Sequence, residues 1–193
     1  MAHMTADTLF RTLIEEPLEA ITSKTLLHVS YWLLDFERPE FSVEAPNMSG
    51  LYAVSMVFTN RTLEIFPAWE NQLRGVNAYH IQTRLVSQGK ASSELVTGKS
   101  LMEIRADEST LWSKALTETL ACVEVYGIRS NPHLVRFVFP SAKVVVAVGY
   151  SGEKPLIGDG DEILVFADKQ WHKTEKTLPE SWTKLWECSG TEG

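Results

Sequence analysis

Apolar and polar side chains alternate with a period of two over much of this chain, and that spacing predicts strands rather than helices. The longest apolar run, His133 to Tyr150, sets the frame. Leu134, Val135, Phe137, Val138 and Phe139 lead into Pro140-Ser141-Ala142-Lys143, and Val144 to Val148 lead out again. β-Branched and aromatic side chains fit a pleated surface, and Pro140 starts the reversal, so the run reads as a central hairpin. Its second arm is apolar on both faces, which places it inside the fold with cover on each side.

The same pattern recurs along the chain. Thr25 to Phe36 sets Leu27, Val29, Tyr31 and Leu33 on one face and His28, Ser30 and Trp32 on the other. Leu51 to Phe58 sets Tyr52, Val54, Met56 and Phe58 against Leu51, Ala53, Ser55 and Val57. It returns through Thr59-Asn60-Arg61 as Thr62 to Phe66, with Asn60 suited to a positive φ. Ala78 to Val86, Leu101 to Ile104, Cys122 to Ile128 and Ile163 to Ala167 read as further strands, with shorter candidates at Phe41 to Glu44, Glu94 to Val96 and Gln170 to Thr174.

Helical spacing appears in three places. Leu9, Phe10, Leu13 and Ile14 share one face, with Thr5 or Asp7 as N-cap and Pro17 ending that helix or opening a second short one. Asp107 reads as the N-cap of a helix reaching Leu120, because Leu111 with Ala115, and Trp112 with Leu116 and Leu120, recur one turn apart. After Pro179, Trp182, Leu185 and Trp186 suggest a short amphipathic helix. The expected fold is α+β: a mainly antiparallel β-sheet, or a barrel-like one, with two or three helices packed against it.

Composition narrows the function. The 193 residues suit a single domain over 5–188, with 189–193 as a flexible tail and Met1-Ala2-His3-Met4 as an expression scar before a second start. A formal charge of -7 argues against a nucleic-acid partner, which needs clustered Lys and Arg. No apolar run is long enough for a membrane span and no signal peptide opens the chain, so a cytoplasmic protein is expected. Cys122 and Cys188 are too few for a disulfide scaffold and fit a reducing compartment.

Candidate chemistry is sparse. Asp159, Asp161 and Glu162 lie in a Gly-containing loop that can gather carboxylates around a hard cation, but a solvated turn before a strand is the simpler reading. His28 and His80 occupy polar strand faces and can meet if their strands are neighbours, while His133 and His172 lie at strand edges. No pair has metal-ligand spacing. Cys122 sits in apolar surroundings that disfavour its thiolate. Glu124 lies between Val123 and Val125; it shares a face with Cys122 and Tyr126, so it is expected to point outward, whereas inward burial would raise its pKa. The phosphate-loop, dinucleotide and nucleophile-elbow motifs are absent. No cofactor or metal is implied, and the balance leans away from an enzyme.

Six tryptophans are the remaining signal. Trp171, Trp182 and Trp186, set among lysines, are candidates for a protein interface, since indole suits interface anchors. The leading expectation is a non-enzymatic, acidic module binding a protein partner, of inhibitor or immunity type. A first alternative is a β-barrel carrier or sensor whose cavity is rimmed by Trp32, Tyr79 and His80. A second is an enzyme assembled from distant His and Glu or Asp residues. A homo-oligomer is compatible with each.

Overall fold

The computed structural model describes residues 5–34, 47–69, 79–91, 101–128, 131–148, 163–167 and 183–190. Among the described residues, eleven strands follow one N-terminal helix: β1 (Leu26–Leu34), β2 (Asn47–Leu51), β3 (Ala53–Phe58), β4 (Arg61–Trp69), β5 (Tyr79–Ser87), β6 (Leu101–Arg105), β7 (Cys122–Ile128), β8 (Asn131–Val138), β9 (Lys143–Val148), β10 (Ile163–Ala167) and β11 (Thr183–Ser189). They form two antiparallel sheets, a five-stranded one in the order β5-β4-β3-β1-β6 and a six-stranded one in the order β11-β7-β8-β9-β10-β2. The sheets do not close into a barrel. One core fills the space between them, joining Val29, Tyr31, Met56 and Ile65 of the first sheet to Val123, Val135, Phe137 and Val146 of the second.

Period-two faces account for this layering. Val54, Met56 and Phe58 are buried in the core from β3, and Val29, Tyr31 and Leu33 from β1, as the alternation predicts. Asn60 adopts φ 72° in the β3–β4 turn. β8 and β9 form the central hairpin, flanked by β7 and β10. The outer face of β9 is buried as well: Val145 and Ala147 join Leu134, Leu164 and Phe166 in a second apolar cluster.

One segment belongs to both sheets. Leu51 pairs with Ile163 of the second sheet, and two residues later Ala53 pairs with Trp32 of the first. The chain therefore turns a corner at Tyr52, whose amide donates to the Trp32 carbonyl at 2.7 Å. The sequence pattern reads Leu51 to Phe58 as one strand and hides this switch.

The N-terminal helix runs through α1 (Ala6–Phe10), a π-helical turn (Arg11–Glu15) and α2 (Glu16–Ile21). Thr5 is its N-cap, accepting from the Thr8 amide. Pro17 cannot donate to the Leu13 carbonyl one turn back, and an ordinary helix would break there. Here the wider turn carries the chain past it. The Leu13 carbonyl instead accepts from the Thr83 hydroxyl of β5 at 2.6 Å, which ties the helix to the first sheet.

Two expected helices are corrected. Residues 107–120 form successive turns, with Ser113 N–H donating to Ser109 and Leu116 N–H to Trp112. Leu111, Trp112, Ala115 and Leu120 are buried, as their spacing predicts, but the helix ladder does not propagate. Tertiary pairing wins: Thr117 N–H donates to Leu26, Leu26 N–H to Glu118 and Leu120 N–H to Lys24, which pulls the segment out straight and sets Thr117 at φ 65°. Residues Thr183–Ser189 form β11 instead of a helix. A register shift between Lys184 and Trp186 inserts Leu185 as a bulge, and that extra residue makes the apolar spacing imitate a helix.

Candidate functional site

A groove of about 410 Å³ lies on the outer face of the five-stranded sheet. Its floor comes from residues that alternation turns away from the core: Ser30 and Trp32 of β1, Ser55 of β3 and Thr62 of β4. Trp32 is nearly buried and donates its indole N–H to Ser55 Oγ at 2.8 Å. His28, Glu103 and Arg105 form one wall, and Gly89, Lys90 and Ala91 the other.

The His28 wall is built around Asp107. Its Oδ1 accepts from the Val29 amide at 2.7 Å, so the expected helix cap is a clamp on β1 instead. Its Oδ2 accepts from Arg105 Nε at 3.0 Å and from Arg105 Nη2 at 2.5 Å. Burial pushes the Asp107 carboxyl up, but the Val29 amide, Arg105 and His28 outweigh that and hold it below the ordinary range. Arg105 Nη2 also lies 2.5 Å from His28 Nδ1, closer than the 3.1 Å between that nitrogen and Asp107 Oδ2. His28 Nδ1 therefore sits between a guanidinium donor and a carboxylate acceptor, and the ring tautomer sets which of the two it bonds. His28 and Arg105 side chains remain 52% and 64% exposed, so both can reach a guest.

A second ionic network spans the outer face of the six-stranded sheet. Glu187, Glu124 and Arg136 lie directly opposite one another on β11, β7 and β8. Arg136 Nε and the Tyr126 hydroxyl donate to Glu124 Oε2, and Lys184 Nζ bridges Glu124 Oε1 at 2.7 Å and Glu187 Oε2 at 2.6 Å. Glu124 points away from the core, as its strand parity predicts, yet its neighbours leave it only 8% exposed. Burial raises its pKa, and Arg136 and Lys184 more than reverse that, so it is held ionised below the usual carboxylate range. It is no general acid. Cys122, Glu124 and Glu187 bring ligand atoms within 4.8 Å of one another, but both carboxylates are bonded to Lys184, and burial pushes the Cys122 thiol up.

The remaining candidates fall apart in space. His28 on β1 and His80 on β5 are separated by β3 and β4, so they do not meet. His80 is buried beside Gln82 and acts electrostatically on His133 of β8. His133 donates from Nδ1 to the Asn131 carbonyl at 2.7 Å, and burial, reinforced by His80, lowers its pKa to about 4. The expected cavity rim of Trp32, Tyr79 and His80 is not an internal one: Trp32 floors an open groove, and the Tyr79 side chain lies outside the described residues. Trp186 packs half-buried against the main core. Trp171, Trp182, His172, Asp159, Asp161 and Glu162 lie outside the described residues.

Sequence reasoning missed Arg105 and Asp107 as partners of His28. Alternation placed His28 on a polar face, but the strand read as Leu101 to Ile104 stopped short of Arg105, and nothing local shows that β1 and β6 are neighbours. No protein family, no curated protein and no solved structure matches this chain. No described helix is long and apolar enough to cross a membrane.

Proposed function

We propose that this protein is a non-enzymatic binding protein that takes a small polar anion in the groove of the five-stranded sheet. The donor arrangement at His28 carries the reading. His28, held at Nδ1 by Arg105 and Asp107, keeps its second ring nitrogen for a guest. Arg105 spends its Nε and Nη2 hydrogens on Asp107 and His28, which leaves the Nη1 hydrogens for a guest. Lys90 adds a cation from the facing wall, and Glu103 favours guests that also carry a hydroxyl or amino donor. The groove volume suits a small molecule.

A protein partner docking through Trp171, Trp182 and Trp186 draws less support, because Trp186 leans on the core. A reducing, cytoplasmic setting fits the free thiols of Cys122 and Cys188. Calorimetric titration with inorganic phosphate, citrate and adenosine monophosphate tests the proposal. Binding of at least one at a single site, weakened about tenfold in Arg105→Ala, is expected. Equal affinity in wild type and Arg105→Ala, or no binding of any of the three, overturns it.

A further inference from the structure

We infer that the protein has a second small-molecule site, for an amphiphilic anion such as a medium-chain carboxylate, where the 107–120 connection meets the β8–β9 turn. A groove of about 480 Å³ opens there. Leu111 and Phe139 form its floor at 8% and 2% exposure, and Ala142 and Ala167 extend the apolar lining. Lys114 approaches from the connection and Lys143 from the first position of β9, both exposed. Among the described residues they are the ionisable groups of the lining, and neither has an ion-pair partner there. The Glu118 carboxylate, outside the lining, accepts from the Ser141 amide at 3.0 Å.

The charge pattern selects the occupant. In a chain of net charge -7, a groove whose charged lining among the described residues is two lysines stands out as a local positive site. An apolar floor with cations at its rim matches a ligand with a hydrocarbon body and one anionic head, because the tail leaves water while the head keeps charged partners. Thr110 and Ser141 line the same groove, and their hydroxyls are donors of the kind a carboxylate head accepts. A cationic amphiphile of the same length gains the floor but meets repulsion at the rim.

Dodecanoate and dodecyltrimethylammonium, each below its micelle-forming concentration, are titrated into the full chain by calorimetry, with amide chemical-shift mapping to locate the site. Dodecanoate is expected to bind one-to-one and to shift residues 110–114 and 139–143, and the cation is expected to bind at least tenfold more weakly. The double variant Lys114→Glu, Lys143→Glu should weaken dodecanoate about a hundredfold if each contact carries about tenfold, and Ala142→Trp, which fills the groove and keeps both charges, should also abolish binding. Arg105→Ala should leave dodecanoate untouched, so this site and the anion groove of the other sheet stand or fall separately. No dodecanoate binding, equal binding of both amphiphiles, or affinity unchanged in the double variant overturns the inference.

Discussion

The outer faces of the two sheets carry the same kinds of charged residue, and they use them in opposite ways. On the six-stranded sheet, Glu124 receives Arg136, Lys184 and Tyr126, and Lys184 also reaches Glu187, so two carboxylates and two cations neutralise each other. On the five-stranded sheet, Asp107 holds Arg105 and the Val29 amide but leaves Arg105 and His28 with outward donors beside a groove. A network that consumes its donors serves the fold; one that keeps some can serve a ligand. Residue type alone does not separate the cases, and the count of bonds already made does.

The sharpest contrast lies between the sheets, where His133 is buried outside both networks. Its pKa in the folded protein is about 4 against an ordinary value near 6.5, so the unfolded chain binds the extra proton over that window. Stability should be complete above pH 6.5 and fall by about 3 kcal/mol on acidification to pH 4. Urea unfolding across that range is the measurement, and His133→Phe should flatten the slope. Asp107 and Glu124 have lowered pKa values, so they contribute stability above the ordinary carboxylate range and lose it only at still lower pH.

Breaking the saturated network comes next in size. Arg136→Ala leaves an almost buried Glu124 with Lys184 as its remaining cation, and should lower unfolding stability by about 2 kcal/mol. Replacing both as Glu124→Gln, Arg136→Met should cost less than the single change, because no charge is stranded. Thr83→Val removes the donor to the Leu13 carbonyl that Pro17 leaves open and should destabilise by about 1 to 2 kcal/mol by the same assay. The open network is the smallest in stability: Arg105→Ala should change unfolding by under about 1 kcal/mol while weakening anion binding. A stability loss for Arg105→Ala as large as that for Arg136→Ala would erase the distinction between the two faces.

Much of the fold was legible in the sequence. The limits of β7 and β10 follow from composition, the faces of β3 and most of β1 from alternation, and the turn at Asn60 from its tolerance of positive φ. The errors also have local causes. Trp182, Leu185 and Trp186 read as a helix because a bulge displaced one residue, and Leu111 to Leu120 did so because turns reproduce helical spacing without its continuous ladder. The polar-face position of Trp32 on β1 was legible. Its neighbours across the groove were not.

The sequence by itself determined which residues turn inward and where most strands begin, since side-chain period and backbone preference act over a few neighbouring positions. Only the tertiary structure decided how eleven strands divide into two sheets, that the chain crosses between them at Tyr52, and that Arg105 and Asp107 meet His28 nearly eighty positions away. Those outcomes depend on which distant edges pair and which donors are left over, energies set by contacts between remote segments that no local window contains.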